Sequence, residues 1–169
     1  MPLPSSQPEA ISALQAQAEA EGKRCCVGAL ILDQQGRLLI QRRAPDRKLL
    51  PNCWDIIGGH VEPGETLIDA LAREIREETG WQLAQIITLF HVWEWADEQT
   101  GIRCECDFLV EVAGDLDHPL LESGKHTAFR WVGLEDLEIL KAGRLAGDDE
   151  LYHLATRVLT PQRNCERGG

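Results

Sequence analysis

Apolar and polar positions alternate along this chain with two different periods. Between Pro8 and Glu21, Ile11, Leu14 and Ala18 recur at helical spacing among Ala, Gln and Glu, which predicts a short helix. It is expected to pack outside the main domain, as an extension, a frayed arm or a dimer contact. Two compact apolar runs follow, Cys25 to Leu32 and Arg37 to Gln41, separated by Asp33-Gln34-Gln35-Gly36, whose composition suits a hairpin turn. Trp54 to Gly59 reads as a brief strand ending in a glycine pair. Further on, Gln85 to Trp95 and Ile102 to Val112 are strand-like and joined by a polar turn ending at Gly101. Thr127 to Val132 is a last short strand. Near the end, Leu151, Leu154, Ala155 and Val158 fall at i, i+3, i+4 and i+7, an amphipathic helix over Asp148 to Leu159. Its acidic start suits the positive end of the helix dipole.

The most informative stretch lies in the middle, from Gly59 to Trp81. Thr66 followed by Asp69 is a capping start, and Gly80 stands where a left-handed stop is expected, so a helix is predicted over 67 to 79. At about 100° per residue, Ile68, Leu71, Ala72 and Ile75 share one face, and Glu74, Glu77 and Glu78 gather on an adjacent one. Three like charges at i, i+3 and i+4 disfavour a helix by roughly 0.2–0.5 kcal/mol per pair, so a counter-charge is expected. A divalent cation supplies it economically, and hard oxygen donors favour Mg²⁺, with Mn²⁺ as a substitute.

These residues resemble the signature of the Nudix (MutT-like) hydrolases, Gly-x5-Glu-x7-Arg-Glu-U-x-Glu-Glu-x-Gly-U, where U is a bulky apolar residue. The chain supplies Gly59, Glu65, Arg73, Glu74, Ile75, Glu77, Glu78, Gly80 and Trp81 at the specified positions. The resemblance implies an α/β fold, the Nudix-type α/β/α sandwich around a mixed β-sheet, over residues 24–160. Residues 1–23 would be an extension and 161–169 a loose tail. It implies hydrolysis of a phosphoanhydride in a nucleoside diphosphate linked to another group, such as a nucleoside triphosphate. Glu77 and Glu78 would hold the metal with the Gly58 carbonyl, and Glu74 would be a ligand or the general base. Arg73 would orient a neighbouring carboxylate, Glu65 would support the loop or a second ion, and Arg43 or Arg42 would meet substrate phosphates. One position departs from the pattern. Lys125 stands near where related enzymes carry a further glutamate before the last strand, and neither Glu122 nor Glu111 lies at a matching site.

Two other readings stay open at this point. The run from Leu38 to Arg43 with Leu49 to Asp55 is similar to the isopentenyl-diphosphate isomerase branch, in which a cysteine such as Cys53 would move a proton. A nucleotide-binding module without turnover is the other. His91, Trp93 and Trp95 share a strand face by period two, which suits either base stacking or core packing.

Composition narrows the classes. At 169 residues the chain suits one domain, and its formal charge of -11, from 28 acidic and 17 basic residues, argues against long nucleic acid as a partner. A small diphosphate substrate remains compatible, because metal and local arginines reverse the sign of a pocket. The six cysteines lack Cys-x-x-Cys spacing and are expected to be buried thiols. No charged-then-apolar leader opens the chain and no run is long enough to span a bilayer, so a cytoplasmic protein without a membrane partner is expected.

Overall fold

The computed structural model describes residues 7–161. The loose tail expected at 161–169 lies, from residue 162 onward and with Cys165, outside the described residues, as do residues 1–6. The elements are α1 (Gln7–Ala20), β1 (Arg24–Ile31), β2 (Leu38–Arg43), β3 (Trp54–Asp55), β4 (Ile57–His60), α2 (Leu67–Thr79), β5 (Gln82–Asp97), β6 (Gly101–Ala113), β7 (His126–Val132), a 3-10 helix (Leu134–Lys141) and α3 (Glu150–Leu159).

The expected α/β/α sandwich forms, and its middle layer is divided between two sheets. These are a mixed four-stranded sheet, ordered β4-β1-β6-β5, and an antiparallel three-stranded sheet, ordered β3-β2-β7. The predicted turn at Asp33–Gly36 forms, closed by the Asp33 amide on the Arg37 carbonyl at 2.9 Å. Only one bridge, Leu32 to Leu38, then joins the two arms before they part into different sheets. The predicted strand at Trp54–Gly59 breaks in the same way. Trp54 and Asp55 pair with β2, and from Ile57 the chain pairs with β1. These two connections, with the one from β6 to β7, cross between the sheets, and a cleft opens where the first two diverge.

Together the sheets make one middle layer. Cys25, Val27, Ala29 and Ile31 of β1 and Leu39 of β2 face α1 and α2, while Leu30, Leu38 and Ile40 face the 3-10 helix and α3. This is the alternation of a strand buried on both faces. Val27, Gly28 and Ala29 of β1 run parallel to Cys106, Asp107 and Phe108 of β6, which fixes the floor of the cleft.

Helix α2 begins and ends where its caps dictate. Thr66 Oγ1 accepts the Asp69 amide at 3.1 Å, and Gly80, at φ 75°, returns its amide to the Arg76 carbonyl. The buried stripe is rotated from the predicted one. It comprises Leu67, Ala70, Leu71, Glu74, Ile75 and Glu78, while Ile68 and Ala72 are only partly buried. The helix lies on the four-stranded sheet through β1, β4 and β5, and Gln41 of β2 reaches Glu78, so two glutamates go down with the apolar face.

Helix α1 is not an appendage. Ile11 and Ala18 are buried in the same core as α2. Gln15 holds the start of α2 from both sides: its side-chain amide donates to the Glu65 carbonyl at 2.8 Å and accepts the Leu67 amide at 2.9 Å. The Leu67 amide is one of the unpaired donors that every helix start exposes. Gln15→Ala should therefore lower stability by about 1–2 kcal/mol, read as a reduced urea midpoint with unchanged slope; an unchanged midpoint would deny this clasp.

Candidate active site

Arg73 is the hub of the site. Its Nε and Nη2 donate to the two Glu65 oxygens at 2.7 and 3.0 Å, a bidentate pair, and Nη2 also reaches the His60 carbonyl at 2.9 Å. Nη1 donates to Glu74 at 2.7 Å and to Glu77 at 3.3 Å. Arg73 was expected to orient one neighbouring carboxylate. In the structure it bridges two of the three carboxylates, because its long side chain folds back over the first turn of the helix.

Glu74 and Glu78 are 8% and 5% exposed, and Glu77 is exposed. Burial raises the Glu74 pKa, opposed by Arg73. It raises Glu78 much further, with repulsion from Glu74 adding to it. Glu78 is fixed by the Gln41 amide at 2.7 Å and by the Gly58 backbone N–H at 3.0 Å. Gly59 has no room for a side chain, since a Cβ would come within 2.2 Å of a Glu74 oxygen.

These groups line a cleft of about 310 Å³ between the two sheets, a size suited to a small-molecule ligand. Arg43 lines it too, and its Nε donates to the Leu49 carbonyl at 2.8 Å. Arg42 does not: the next side chain along the strand turns outward, where its guanidinium approaches Asn52. The sequence analysis could not separate these two arginines. Pleat alternation does. Gly58, Glu65, Glu74, Glu77 and Glu78 are brought together as expected, Gly58 and the three α2 carboxylates at the cleft and Glu65 through Arg73.

Several participants were not anticipated. Lys125, at the position expected to carry a carboxylate, lines the cleft and pairs with Glu122 at 2.7 Å. Glu122 was judged out of place, yet the turn before β7 folds it inward. Glu78, Glu122 and His126 each offer an atom within 4.8 Å of the others. Glu122 Oε2 and His126 Nδ1 are buried without hydrogen-bond partners. Burial also lowers the His126 pKa to about 4, with Arg43 contributing, so the ring is neutral and able to donate a lone pair. The Glu122 and His126 spacing, i and i+4 across a turn, was the only sequence signal available. Glu111 lies on β6, exposed and opposite Gln85.

On the opposite face of β4 from Gly59, alternation places His60, and register carries that face through Cys26 to Glu105. Trp95 Nε1 donates to Glu105 Oε2 at 2.8 Å, and both residues line the cleft. His91 does not join them. Strand β5 shifts register between Leu89 and His91, and the ring bonds Glu150 of α3 at 2.7 Å. The period-two grouping of His91, Trp93 and Trp95 therefore reduces to the Trp93–Trp95 pair, 6.4 Å between centroids. Cys53, the candidate proton carrier of the isomerase reading, is 1% exposed and is not among the cleft-lining residues. The five cysteines described are buried and free.

A NUDIX domain model matches residues 22–155. The chain belongs to the Nudix hydrolase family. The MutT NUDIX hydrolase of Burkholderia pseudomallei is 31% identical, with a TM-score of 0.59 over 68% of this chain and 85% of that one. The nucleoside triphosphatase NudI of Escherichia coli (strain K12) is 43% identical over 68 residues, 40% of this chain and 47% of that protein. The m7GpppN-mRNA hydrolase NUDT17 of Xenopus laevis is 32% identical over 96 residues, 56% of this chain and 32% of that protein. The chain thus spans about half or less of the length of these two curated relatives. No helix among the described residues is long and apolar enough to cross a membrane.

The cleft also stores a proton-linked cost. Burial, with repulsion from Asp55, raises the Glu105 pKa to about 7, and burial with Glu105 raises Asp107 well above the carboxylate range. A carboxyl group held above its unfolded pKa binds protons more tightly in the folded state. Its stabilisation is complete below the unfolded value near 4.5 and is lost as pH rises through about 7. In metal-free protein, the melting temperature of Glu105→Gln relative to the parent should rise between pH 5 and pH 8. A pH-independent difference would contradict this.

Proposed function

We propose that this protein is a divalent-metal-dependent hydrolase that cleaves a phosphoanhydride bond of a nucleoside triphosphate or related nucleoside diphosphate conjugate, in the cytoplasm. The observation that carries the reading is the burial of Glu74 and Glu78 beside Glu77 in a cleft that Arg43, Arg47 and Lys125 also line. Carboxylates and basic side chains lining one small cleft suit a polyanion delivered together with a cation. Names of relatives, a nucleoside triphosphatase and an mRNA-cap hydrolase, point to the same bond class.

The residues fit a metal. Buried carboxylates with pKa values raised by burial are costly as unpaired anions, and the orphaned atoms of Glu122 and His126 lie beside Glu78. Glu77 and Glu78 with the Gly58 carbonyl would hold Mg²⁺, and a neutral imidazole in the set extends the choice to Mn²⁺. Bound there, a divalent ion neutralises phosphate oxygens and acidifies water.

The chain's own groups do the rest. Arg43, Arg47 and Lys125 bind and orient the phosphates, with Arg43 fixed by the Leu49 carbonyl. Glu74 accepts a proton from the attacking water; its pKa, raised by burial, makes it a stronger base than a solvated glutamate. Arg73 positions Glu74, and Glu65 locks Arg73 through the bidentate pair. Gln41 and the Gly58 amide hold Glu78 in place. The free, buried thiols suit a reducing compartment.

A panel of nucleoside triphosphates with Mg²⁺, followed by ³¹P NMR in ¹⁸O-enriched water, should show a broken phosphoanhydride with label in one product. Glu78→Gln should lower turnover at least ~100-fold with the fold retained by circular dichroism. Equal turnover of parent and variant would remove the assignment, and phosphate-free product formation dependent on Cys53 would favour isomerisation.

A further inference from the structure

The acids around α2 differ in whether a fixed cation already serves them. Arg73 contacts Glu65, Glu74 and Glu77 at 2.7, 2.7 and 3.3 Å. Lys125 contacts Glu122 at 2.7 Å. Among the described residues no arginine or lysine pairs with Glu78. Its partners are the Gln41 amide and the Gly58 N–H, and the His126 ring, 3.9 Å away, is neutral because burial lowers its pKa to about 4. Of these acids, Glu78 is therefore the one whose charge a single divalent ion would offset.

Lys125 is held at the cleft from three directions. Its backbone N–H donates to the Glu122 carbonyl at 3.2 Å, its carbonyl accepts the Ala44 amide at 2.8 Å, and its Nζ reaches Glu122 Oε1. The first two bonds close the turn before β7 and tie it to the chain leaving β2, which anchors the ammonium group among the cleft-lining residues. With 42% of the lysine side chain exposed, the ion pair adds little to stability, so its contribution is the placement of charge. Glu122, Glu74 and Glu77 together raise the Lys125 pKa and keep it protonated. A permanent charge there has two effects. It occupies Glu122 Oε1 and leaves Oε2, buried and unpartnered, for a ligand. It also repels a second divalent ion from the neighbourhood of Glu74 and Glu77.

We propose that Lys125 is a built-in counter-ion that limits this cleft to one divalent cation per chain, held at Glu78, and that a carboxylate in its place would admit a second. The proposal rests on the metal-dependent reading above and fixes its ion count. Lys125 is a positioning residue for the metal set through its hold on Glu122. Toward the phosphates it supplies positive charge that a second ion would otherwise bring, without needing a second set of ligands. Lys125→Glu reverses the charge at this point, frees Glu122 Oε1 and adds a carboxylate. The number of charged oxygen ligands is what tunes divalent affinity in such sites.

The test is titration of the full chain with Mn²⁺ in the absence of nucleotide, with bound ions counted from the loss of the free-ion electron paramagnetic resonance signal. The parent should bind one ion per chain. Lys125→Glu should bind two, the second at least ~10-fold tighter than any further ion that the parent takes up. Lys125→Arg should keep the parent's count. Lys125→Met, which removes the charge and supplies no oxygen, should keep one ion and bind it more tightly, because a like charge has gone. Two ions in the parent, or one in folded Lys125→Glu, would overturn the proposal and leave a metal-dependent hydrolase in place. A parent that binds no Mn²⁺ would defeat the functional reading, and this inference with it.

Discussion

Two glutamates on the buried side of α2 are the constraint around which the molecule is arranged. A helix face that carries Leu67, Leu71 and Ile75 into the core takes Glu74 and Glu78 down with it, to 8% and 5% exposure. Carboxylates in that position lose hydration that protein donors must replace. The fold supplies some of the replacement: Arg73 for Glu74, and Gln41 with the Gly58 amide for Glu78. Glycine 58 is required on steric grounds, since a Cβ there would meet the Val27 carbonyl at 2.3 Å, and a Cβ at 59 would displace the Glu74 carboxyl group. What remains uncompensated is negative charge beside a cleft, and on the proposed reading a cation would offset that remainder.

The arrangement also explains why the middle layer is two sheets. A continuous sheet would seal the space between β4 and β2 with backbone hydrogen bonds. By leaving the β1–β2 arm joined through one bridge and breaking the strand at Ile56, the chain opens a passage. The α2 carboxylates border it on one face of β4 and Glu105 with Trp95 on the other. The second core, with Leu30, Leu38, Ile40 and Ile56 against the 3-10 helix and α3, holds the two sheets together beyond the opening.

Much of this was legible in the sequence because it depends on local rules. The limits of α2 follow from Thr66 and Gly80, whose capping chemistry is read over three or four residues. Strand positions followed from apolar runs, and the motif brought Gly58, Glu74, Glu77 and Glu78 together. What was not legible depends on tertiary packing. The stripe of α2 is rotated to include Glu74 and Glu78, which Arg73 and Gln41 with the Gly58 amide hold in place. Arg42 and Arg43 are equivalent in composition and differ only in the side of the strand each occupies. Lys125 drew attention away from Glu122, which a turn, not a strand, folds back toward Glu78. Gln15 looked like one polar residue among many, and its two hydrogen bonds span fifty residues of sequence.

The central claim is that the buried carboxylates of α2 form a cation site whose occupancy relieves their repulsion. Thermal unfolding as a function of Mn²⁺ concentration, without nucleotide, tests it most directly, with Mn²⁺ binding followed in parallel by electron paramagnetic resonance. The account predicts a melting temperature that rises with Mn²⁺ as expected for an ion that binds the folded state alone, and little or no rise in Glu78→Gln. A melting temperature that ignores Mn²⁺ in the parent, or rises equally in both proteins, would contradict it.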